Sequence, residues 1–296
     1  MNILVTGADG FVGSKLISKL KQLDHQVIGL DKNKNSNKKN LIYDISKKNF
    51  VKNFINKENI SIDIIFHLAA QPGGYKSLIN PYIDAKWNCV GTANMVSLSK
   101  VLKVKKFIYS SSMSVYGNNN NVLEITPVNP ISFYGVSKYT GELQCKLLLE
   151  HSHIPYTIFR LFATYGSGQD LKNPHQGILS IYLSQMLKDS KVKITGTKNR
   201  IRELVHVNDV INALVWGLDK KTNNEIYNVS NNEPITPEII IKQISKELNK
   251  PVKIIELPGY EGDQTNITGN ISKLCKLGWK PKINLSQGVK EFINNI

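Results

Sequence analysis

Short apolar runs alternate along this chain with longer stretches in which apolar residues recur at helical spacing. The runs predict six strands, at 2–7, 26–31, 41–45, 62–70, 105–112 and 156–162. The longer stretches predict helices over 11–24, near 81–103 and near 134–151. The run at 62–70 is apolar almost throughout, which is typical of a strand buried on both faces. The pattern therefore predicts an α/β protein with a doubly wound parallel sheet covered by helices.

The same pattern predicts two parts of unequal size. Residues 1–165 supply most of a nucleotide-binding Rossmann sheet, and residues 166–296 mostly form a smaller C-terminal α/β domain for the substrate. The apolar run at 225–230 predicts a strand that returns to the main sheet, so the boundary interleaves. A ligand site is expected in the cleft between the two parts.

Composition narrows the class of protein. The chain has 296 residues, of which 41% are hydrophobic, enough for a globular core. Its apolar runs are shorter than the ~20 residues of a membrane span, and no signal peptide is expected from the first residues. The cysteines are widely spaced and predict reduced thiols in a cytoplasmic protein without a metal site. They are Cys89, Cys145 and Cys275.

The net charge of +15 could attract nucleic acid, an anionic membrane or a phosphorylated small molecule. The densest polar cluster, residues 31–40, has no interleaved aromatic residues and predicts a solvated loop. We therefore expect neither a nucleic-acid nor a membrane partner, although a basic nucleic-acid binder stays open as a rival class.

Residues 6–13 read "TGADGFVG", with glycines between a predicted strand and a predicted helix. A helix N-terminus offers free N–H groups and a positive dipole end, both of which favour a phosphate. Gly7 permits a tight turn, Gly10 leaves room for a pyrophosphate, and Gly13 allows close packing of the helix on the strand. The stretch therefore predicts a dinucleotide site.

Asp31 ends the second predicted strand, 18 residues after Gly13. Its carboxylate would accept hydrogen bonds from the adenosine ribose and repel a 2′-phosphate, so NAD is expected rather than NADP. The neighbouring Lys32 and Lys34 leave NADP open as an alternative.

Tyr134 and Lys138 are four residues apart and would share one face of a helix. A close ammonium is expected to lower the pKa of the phenol, which could then take a proton from a sugar hydroxyl. Ser112 ends a predicted strand at the edge where open α/β sheets bind ligands, and its hydroxyl could hold the same substrate oxygen.

Several motifs in the same order resemble the extended short-chain dehydrogenase/reductase family, and within it the NAD-dependent nucleotide-sugar epimerases and dehydratases such as UDP-glucose 4-epimerase. They are "TGADGFVG" (6–13), "HLAA" (67–70), "SSSMSVYG" (110–117), "YGVSK" (134–138), "RELVHVNDV" (202–210) and "LGWKP" (277–281). The resemblance implies an NAD cofactor, a nucleotide-diphosphate sugar substrate and catalysis by Ser112, Tyr134 and Lys138. It also implies nucleotide-sugar metabolism in polysaccharide biosynthesis.

The resemblance further implies particular ligand contacts. Beside the glycines, Asp31, Tyr134 and Lys138, the implied cofactor contacts are Asp9, Phe11, Val12, Asp44, Ile45, Leu68, Ala69, Ala70 and Asn88. The implied substrate contacts are Ser77, Ser112, Ser114, Ala163, His175 and Arg202. Of these, Arg202 would grip the diphosphate, while His175 could equally be a solvated loop residue.

Departures from the family pattern bear on the reaction. The 4,6-dehydratases carry an Asp-Glu pair after the catalytic hydroxyl, where this chain has Met113 and Ser114, so dehydration is disfavoured. Ala163 stands where many hexose epimerases have Asn. Tyr260 and Glu261 stand where many uridine-diphosphate-sugar enzymes have an Arg before Gly-Asp, which puts the nucleotide in doubt.

These observations predict a 4-epimerase of a UDP-hexose or a related nucleotide sugar that acts through a transient 4-keto sugar. A 4-dehydrogenase/reductase or a dehydratase of the same family stays open, as does a non-catalytic dinucleotide sensor. The resemblance also implies a homodimer that pairs helices near 85–103 and 134–151. The apolar residues taken as support are Met95, Leu98, Leu147 and Leu148.

Overall fold

The computed structural model of this chain describes residues 1–33, 40–174 and 177–296, with the side chain of Leu149 left out. The strands in chain order are β1 (Asn2–Thr6), β2 (Gln26–Asp31), β3 (Leu41–Ile42), β4 (Ile64–His67), β5 (Lys106–Ser112), β6 (Asn119–Val122), β7 (Tyr156–Leu161), β8 (Ala163–Tyr165), β9 (Lys191–Thr195), β10 (Arg202–His206), β11 (Glu225–Val229), β12 (Pro234–Ile235), β13 (Lys253–Leu257) and β14 (Ile267–Gly269).

The α-helices in chain order are α1 (Phe11–Gln22), α2 (Phe50–Lys57), α3 (Gly74–Ile79), α4 (Pro81–Asp84), α5 (Gly91–Leu102), α6 (Phe133–Ser152), α7 (Ile178–Lys188), α8 (Val207–Trp216), α9 (Pro237–Leu248), α10 (Ser272–Cys275) and α11 (Leu285–Asn294). A π-helical turn, Ala85–Val90, joins α4 to α5, and 3₁₀ turns span Met113–Tyr116 and Lys220–Thr222.

A parallel sheet of seven strands forms the centre of the molecule, in the order β3-β2-β1-β4-β5-β7-β11. Strands β1, β2 and β3 proceed toward one edge, whereas β4, β5, β7 and β11 proceed toward the other. The order therefore reverses between β1 and β4, which is the position where such sheets bind ligands. The α/β class and the doubly wound parallel sheet predicted from the sequence are confirmed.

Alternate side chains of each strand point to two different cores, as the period of two requires. Ile3 and Val5 pack with α1 and α8 on one face of the sheet. Leu4 packs on the other face with α2, α5 and α6. Both faces of the central strands are thus covered by helices, which explains their nearly continuous apolar sequences.

Two predicted strands are at least three residues shorter in the structure than the sequence predicted. The run at 41–45 is a strand only over Leu41–Ile42, because the next residues turn around Asp44, whose carboxylate accepts hydrogen bonds from the backbone and hydroxyl of Ser46. The run at 62–70 is a strand only over Ile64–His67. Beyond it, the backbone N–H groups of Leu68 and Ala69 donate hydrogen bonds to the side chain of Thr6 on β1 instead of to a neighbouring strand.

The C-terminal part contains a three-stranded sheet, β12-β10-β8, and a parallel pair, β13-β9. Helices α7, α9 and α11 enclose its core, which includes Leu183, Ile241 and Phe292. β11 leaves this part to pair with β7, and α8 packs beside α1 on the central sheet. We propose that residues 1–162, 207–229 and 267–279 form the nucleotide-binding part and that the rest of the chain forms the substrate part.

The structure also bears on the sequence-based expectations about membranes and cysteines. No helix in the described part of the chain is long and apolar enough to cross a lipid bilayer. All three cysteines are free thiols, and Cys145 is buried in the core.

Candidate active site

A cavity of ≈ 1280 Å³ lies at the carboxyl edge of the central sheet, between the sheet and the C-terminal part. The turn after β1, the ends of β2, β4 and β5 and the start of α6 form one side of it. Residues of β8, α7 and the segment before β10 form the other side. The cavity therefore lies at the position where the order of the strands reverses.

The glycine turn faces this cavity at the start of α1. Gly7 has a φ of +70°, and a Cβ there would lie 3.0 Å from the backbone nitrogen of Ala69. A Cβ on Gly13 would collide with the carbonyl oxygen of Gly7. Gly10 begins α1 without a side-chain cap, and the first turn has no acidic residue, so its N–H groups are available to an anion. Phe11 and Val12 line the same wall, and the turn therefore fits a dinucleotide pyrophosphate.

Asp31 lies beside this turn, at the end of β2. Its carboxylate accepts hydrogen bonds from the backbone N–H groups of Asp9 and Asn33, both at 3.1 Å. The Nζ of Lys32 is directed elsewhere, 3.0 Å from the centre of the Trp87 ring, and burial lowers its pKa. Lys34, the other possible partner for a 2′-phosphate, lies outside the described residues. Asp9, Asp44 and Ile45 also line this end of the cavity.

This geometry makes Asp31 the group that would discriminate between NAD and NADP. We expect Asp31→Ala to narrow the preference for NAD(H) over NADP(H) by about tenfold, because a carboxylate that repels the 2′-phosphate is removed. Calorimetric titration of both cofactors measures the preference, with Glu150→Ala as a control that removes the same charge from an exposed position. Equal affinities of the unchanged protein for NAD and NADP would contradict this role.

The segment after β4 forms the wall opposite the glycine turn. The Oγ1 of Thr6 accepts hydrogen bonds from the backbone of Leu68 and Ala69, at 3.2 and 3.1 Å. His67 holds Thr6 from behind, at 2.8 Å through Nδ1, and burial lowers its pKa to about 3, so its ring is neutral. Leu68, Ala69 and Ala70 therefore form an apolar wall of the cavity, with the backbone of the first two held by Thr6.

Ser112, Tyr134 and Lys138 all line the cavity. Ser112 ends β5, where its Oγ accepts a hydrogen bond from the backbone of Ser114 at 3.2 Å. Tyr134 and Lys138 lie one helical turn apart in the first two turns of α6. The Lys138 ammonium lies 4.5 Å from the centre of the Tyr109 ring, and only 3% of the residue is exposed. The end of β5 and the start of α6 thus bring these three side chains to the same wall of the cavity.

The electrostatics of this set differ from the sequence-based expectation. Burial raises the pKa of Tyr134 to about 12, and the hydrogen bond from Ser112 only partly opposes it. Burial also lowers the pKa of Lys138 to about 8, although Asp84 and Glu142 favour its charged form. The lowered phenol pKa expected from the sequence is not found in the protein alone, because burial of the phenol is the largest cause of its shift.

Two residues expected to touch ligands lie behind the wall instead. Ser77 is fully buried, donates to the carbonyl of Gly74 at 2.7 Å and accepts from the backbone N–H of Tyr134 at 3.0 Å. Asn88 is buried too, and it forms two hydrogen bonds with the backbone of Gln71, at 2.7 and 3.1 Å. Neither is among the residues that line the cavity, and both hold the backbone behind its wall. His175 lies outside the described residues.

The other end of the cavity is formed by residues from both parts of the chain. Ala163, Ser114 and Arg202 line it. The hydroxyl of Ser114 reaches Gln264 at 3.4 Å, and the Gln264 amide donates to the carbonyl of Gly117 at 2.6 Å. The segment that contains Gln264 is thereby fixed against the end of β5.

Sequence reasoning did not identify Arg200, which also lines this end. Its Nη1 lies 2.6 Å from the carboxylate of Asp263, which also contacts Arg202 at 3.4 Å. The sequence does carry a signal for Arg200, because it lies two residues before Arg202. In an extended segment, side chains two residues apart lie on the same face. Within the described part of the chain, no group of three side chains is arranged to hold a metal ion.

A cradle for a dinucleotide beside a Ser-Tyr-Lys set is the arrangement of a dinucleotide-dependent enzyme of the short-chain type. The family model described as the NAD-dependent epimerase/dehydratase family matches residues 3–230. The chain belongs to this family, and its cofactor is NAD.

Individual relatives cover almost the whole chain. UDP-glucose 4-epimerase of Mycolicibacterium smegmatis is 31% identical over 100% of this chain and 99% of its own length. The crystal structure of UDP-glucose 4-epimerase from Thermotoga maritima with UDP-glucose is 30% identical, with a TM-score of 0.91 over 100% and 98% of the two chains. UDP-glucuronic acid 4-epimerase from Bacillus cereus, in complex with UDP-glucuronic acid and NAD, is 29% identical, with a TM-score of 0.88 over 100% and 98%.

Proposed function

We propose that this chain is an NAD-dependent nucleotide-sugar 4-epimerase, with a UDP-hexose or a related nucleotide sugar as its substrate. The observation that carries the proposal is the proton-transfer set Ser112, Tyr134 and Lys138 without a carboxylic acid in the residues that follow Ser112. Met113 lines the cavity there, and Ser114 bonds to Ser112 and Gln264. Neither side chain can supply the acid that expulsion of water requires.

The remaining acids that line the cavity have other partners. Asp9, Asp31 and Asp44 lie at the adenosine end. Asp263 is paired with arginines, and the Asp170 carboxylate accepts from the backbone N–H of Lys172 at 2.9 Å. This distribution favours epimerisation, which needs no acid or base beyond the Ser-Tyr-Lys set, over dehydration.

The residues of the set have separate roles in the proposed reaction. When bound, oxidised NAD supplies a hydride acceptor for sugar carbon 4 and a positive charge beside the phenol. Tyr134 takes the proton of the 4-hydroxyl, and Ser112 holds that oxygen by a hydrogen bond. The Lys138 ammonium stabilises the phenolate. Once the 4-keto sugar has turned over in the cavity, the hydride that carbon 4 gave up returns to the opposite face of that carbon, and Tyr134 returns the proton to the keto oxygen.

Cofactor balance tests the reaction type. With UDP-glucose and then UDP-galactose as substrate, the protein should interconvert the two sugars without a net change of absorbance at about 340 nm, where reduced nicotinamide absorbs. If neither is a substrate, the nucleotide sugar that raises the melting temperature most in the presence of NAD is assayed next. Accumulation of NADH with a keto product would establish a 4-dehydrogenase instead, and loss of water would establish a dehydratase. Binding of NAD without turnover of any nucleotide sugar would favour the non-catalytic dinucleotide sensor instead.

We also propose a homodimer, in which only Leu147 of the expected contact residues is retained. Met95, Leu98 and Leu148 are buried in the core of the chain itself, so they cannot meet a partner. The exposed apolar residues of α6 recur at helical spacing on one face instead. They are Phe133, Val136, Leu143 and Leu147, of which 51%, 50%, 42% and 49% are exposed.

Sedimentation tests the homodimer. The unchanged protein should sediment as a dimer at micromolar concentration, and the double substitution Leu143→Lys, Leu147→Lys should give a monomer that still binds NAD. Leu187→Lys, at a similarly exposed position of α7, is the control and should leave the dimer intact. A monomeric unchanged protein would remove the proposal. The cytoplasmic location and the place in polysaccharide biosynthesis stay predictions from the sequence.

A further inference from the structure

A buried carboxylate that the proposed reaction does not use lies behind the wall of the cavity that carries Tyr134. Asp84 ends α4, only 1% of it is exposed, and it is not among the residues that line the cavity. Its Oδ1 accepts a hydrogen bond from the Nδ2 of Asn88 at 3.0 Å, and the same Nδ2 lies 3.1 Å from the Oγ of Ser137 on α6. The Ser137 hydroxyl donates to the carbonyl of Tyr134 at 3.1 Å. Asp84 is thereby fixed against the two turns of α6 that carry Tyr134 and Lys138.

A carboxylate in this position is costly unless a positive charge lies near it. The side chains that hold Asp84, which are Asn88 and Ser137, are both neutral. Burial raises the pKa of Asp84, and the neighbouring Ser137 and Lys138 oppose that rise. The cation that acts on Asp84 is therefore the ammonium of Lys138.

The other groups that face Lys138 provide less negative charge than Asp84 does. Asp84 comes before Glu142 among the acids that favour the charged form of Lys138. The Glu142 carboxylate is bound by the guanidinium of Arg160, at 2.9 and 2.7 Å, and by the hydroxyl of Ser111 at 2.6 Å. Within the described part of the chain, Asp84 is thus the acid near Lys138 whose charge no arginine neutralises. The remaining neighbours are neutral: His67 of β4, Tyr109 of β5, Cys89 of the π-helical turn, and Tyr134 and Cys145 of α6.

We infer that Asp84 is a positioning residue that acts through Lys138, because its carboxylate keeps the ammonium charged beside Tyr134 during turnover. The inference rests on the proposed epimerase reaction and adds a group behind the cavity to the Ser-Tyr-Lys set. The hydrogen bonds of Asn88 and Ser137 hold this carboxylate in a fixed position relative to α6. Burial lowers the pKa of Lys138 to about 8, so a moderate change of the charge near it decides whether it is an ammonium close to neutral pH.

The pH dependence of turnover tests this role with Asp84→Asn, whose side-chain oxygen can still accept a hydrogen bond from Asn88. The alkaline fall of kcat should move to lower pH by about one pH unit, because Lys138 loses its proton earlier without the carboxylate. Asp84→Thr, a second neutral side chain of similar size, should move it in the same direction, and both variants should still bind NAD. Glu150→Gln removes the same charge from an exposed position of α6 and should leave the profile unchanged.

A double-mutant cycle on stability tests the coupling of Asp84 to Lys138 without any substrate. At pH 7, Asp84→Asn should change the urea midpoint more favourably in a Lys138→Met background than in the otherwise unchanged protein. The reason is that the carboxylate has an ammonium to attract only in the latter. At about pH 10, Lys138 of the folded protein is neutral, because its pKa is about 8, and the two backgrounds should respond alike.

The outcomes separate the inference from the proposed function. An equal effect of Asp84→Asn in both backgrounds at pH 7 would overturn the inference, whether or not the protein turns over a nucleotide sugar. A loss of kcat by the same factor at every pH would also overturn it, since disturbed packing has that effect. If the unchanged protein turns over no nucleotide sugar, the proposed function fails, and the role of Asp84 in turnover fails with it even where the cycle shows coupling.

Discussion

Tyr134→Phe is expected to lose turnover by a factor of about 10²–10⁴ while it keeps the fold and the affinity for NAD. The substitution removes only the phenolic oxygen, which is the one group placed to exchange a proton with the substrate hydroxyl. Burial raises the pKa of this phenol to about 12, so the phenol is protonated in the folded protein at neutral pH. The substitution therefore replaces a neutral group by a neutral group. The loss should appear equally in kcat and in kcat/KM, since the proton moves in the reacting complex.

A matched variant of the same helix controls for structural effects. Tyr139→Phe changes the next tyrosine of α6, which packs against the core and does not line the cavity. It should keep turnover, NAD affinity and melting temperature. Near-normal activity of Tyr134→Phe would show that another group is the base, and equal loss in both variants would point to disturbance of α6.

The main features of the nucleotide-binding part followed from local sequence signals. A strand, a glycine turn and a helix are contiguous in the chain. The close contacts that exclude a side chain at Gly7 and Gly13 lie within that unit and with the neighbouring strand end. The pair Tyr134 and Lys138 was likewise predictable because helical spacing alone puts both on one face. Parallel strands separated by helices then left few possible arrangements of the sheet.

The roles that could not be predicted depend on contacts between distant residues. Ser77 accepts a hydrogen bond from the backbone N–H of Tyr134, 57 residues away, and nothing near Ser77 in the sequence indicates that contact. The pairing of Arg200 with Asp263 spans 63 residues. The dimer residues were assigned incorrectly for a related reason. On a helix packed along one side, exposed and buried apolar positions alternate within a single turn, so Leu147 faces outward and Leu148 inward.

Lys138→Met should abolish most turnover and yet raise the free energy of unfolding of the cofactor-free protein at neutral pH. The ammonium is buried, and its pKa is lowered from 10.5 to about 8, so the folded state carries a charge that it would be more stable without. The shift corresponds to as much as about 3 kcal/mol below pH 8. Methionine has a similar length and carries no charge, so the penalty disappears while the packing volume is kept.

The pH dependence distinguishes this explanation from better packing. Below the folded pKa of about 8, both states of the unchanged protein are protonated and the full penalty is present. Between that value and 10.5, the unfolded state binds more protons than the folded state, so the stability of the unchanged protein rises with pH relative to the variant. The advantage of Lys138→Met, measured by urea unfolding at several pH values, should therefore shrink from pH 8 upward. An advantage that is constant with pH, or a loss of stability at neutral pH, would show that Asp84 and Glu142 compensate the buried ammonium fully in the folded protein.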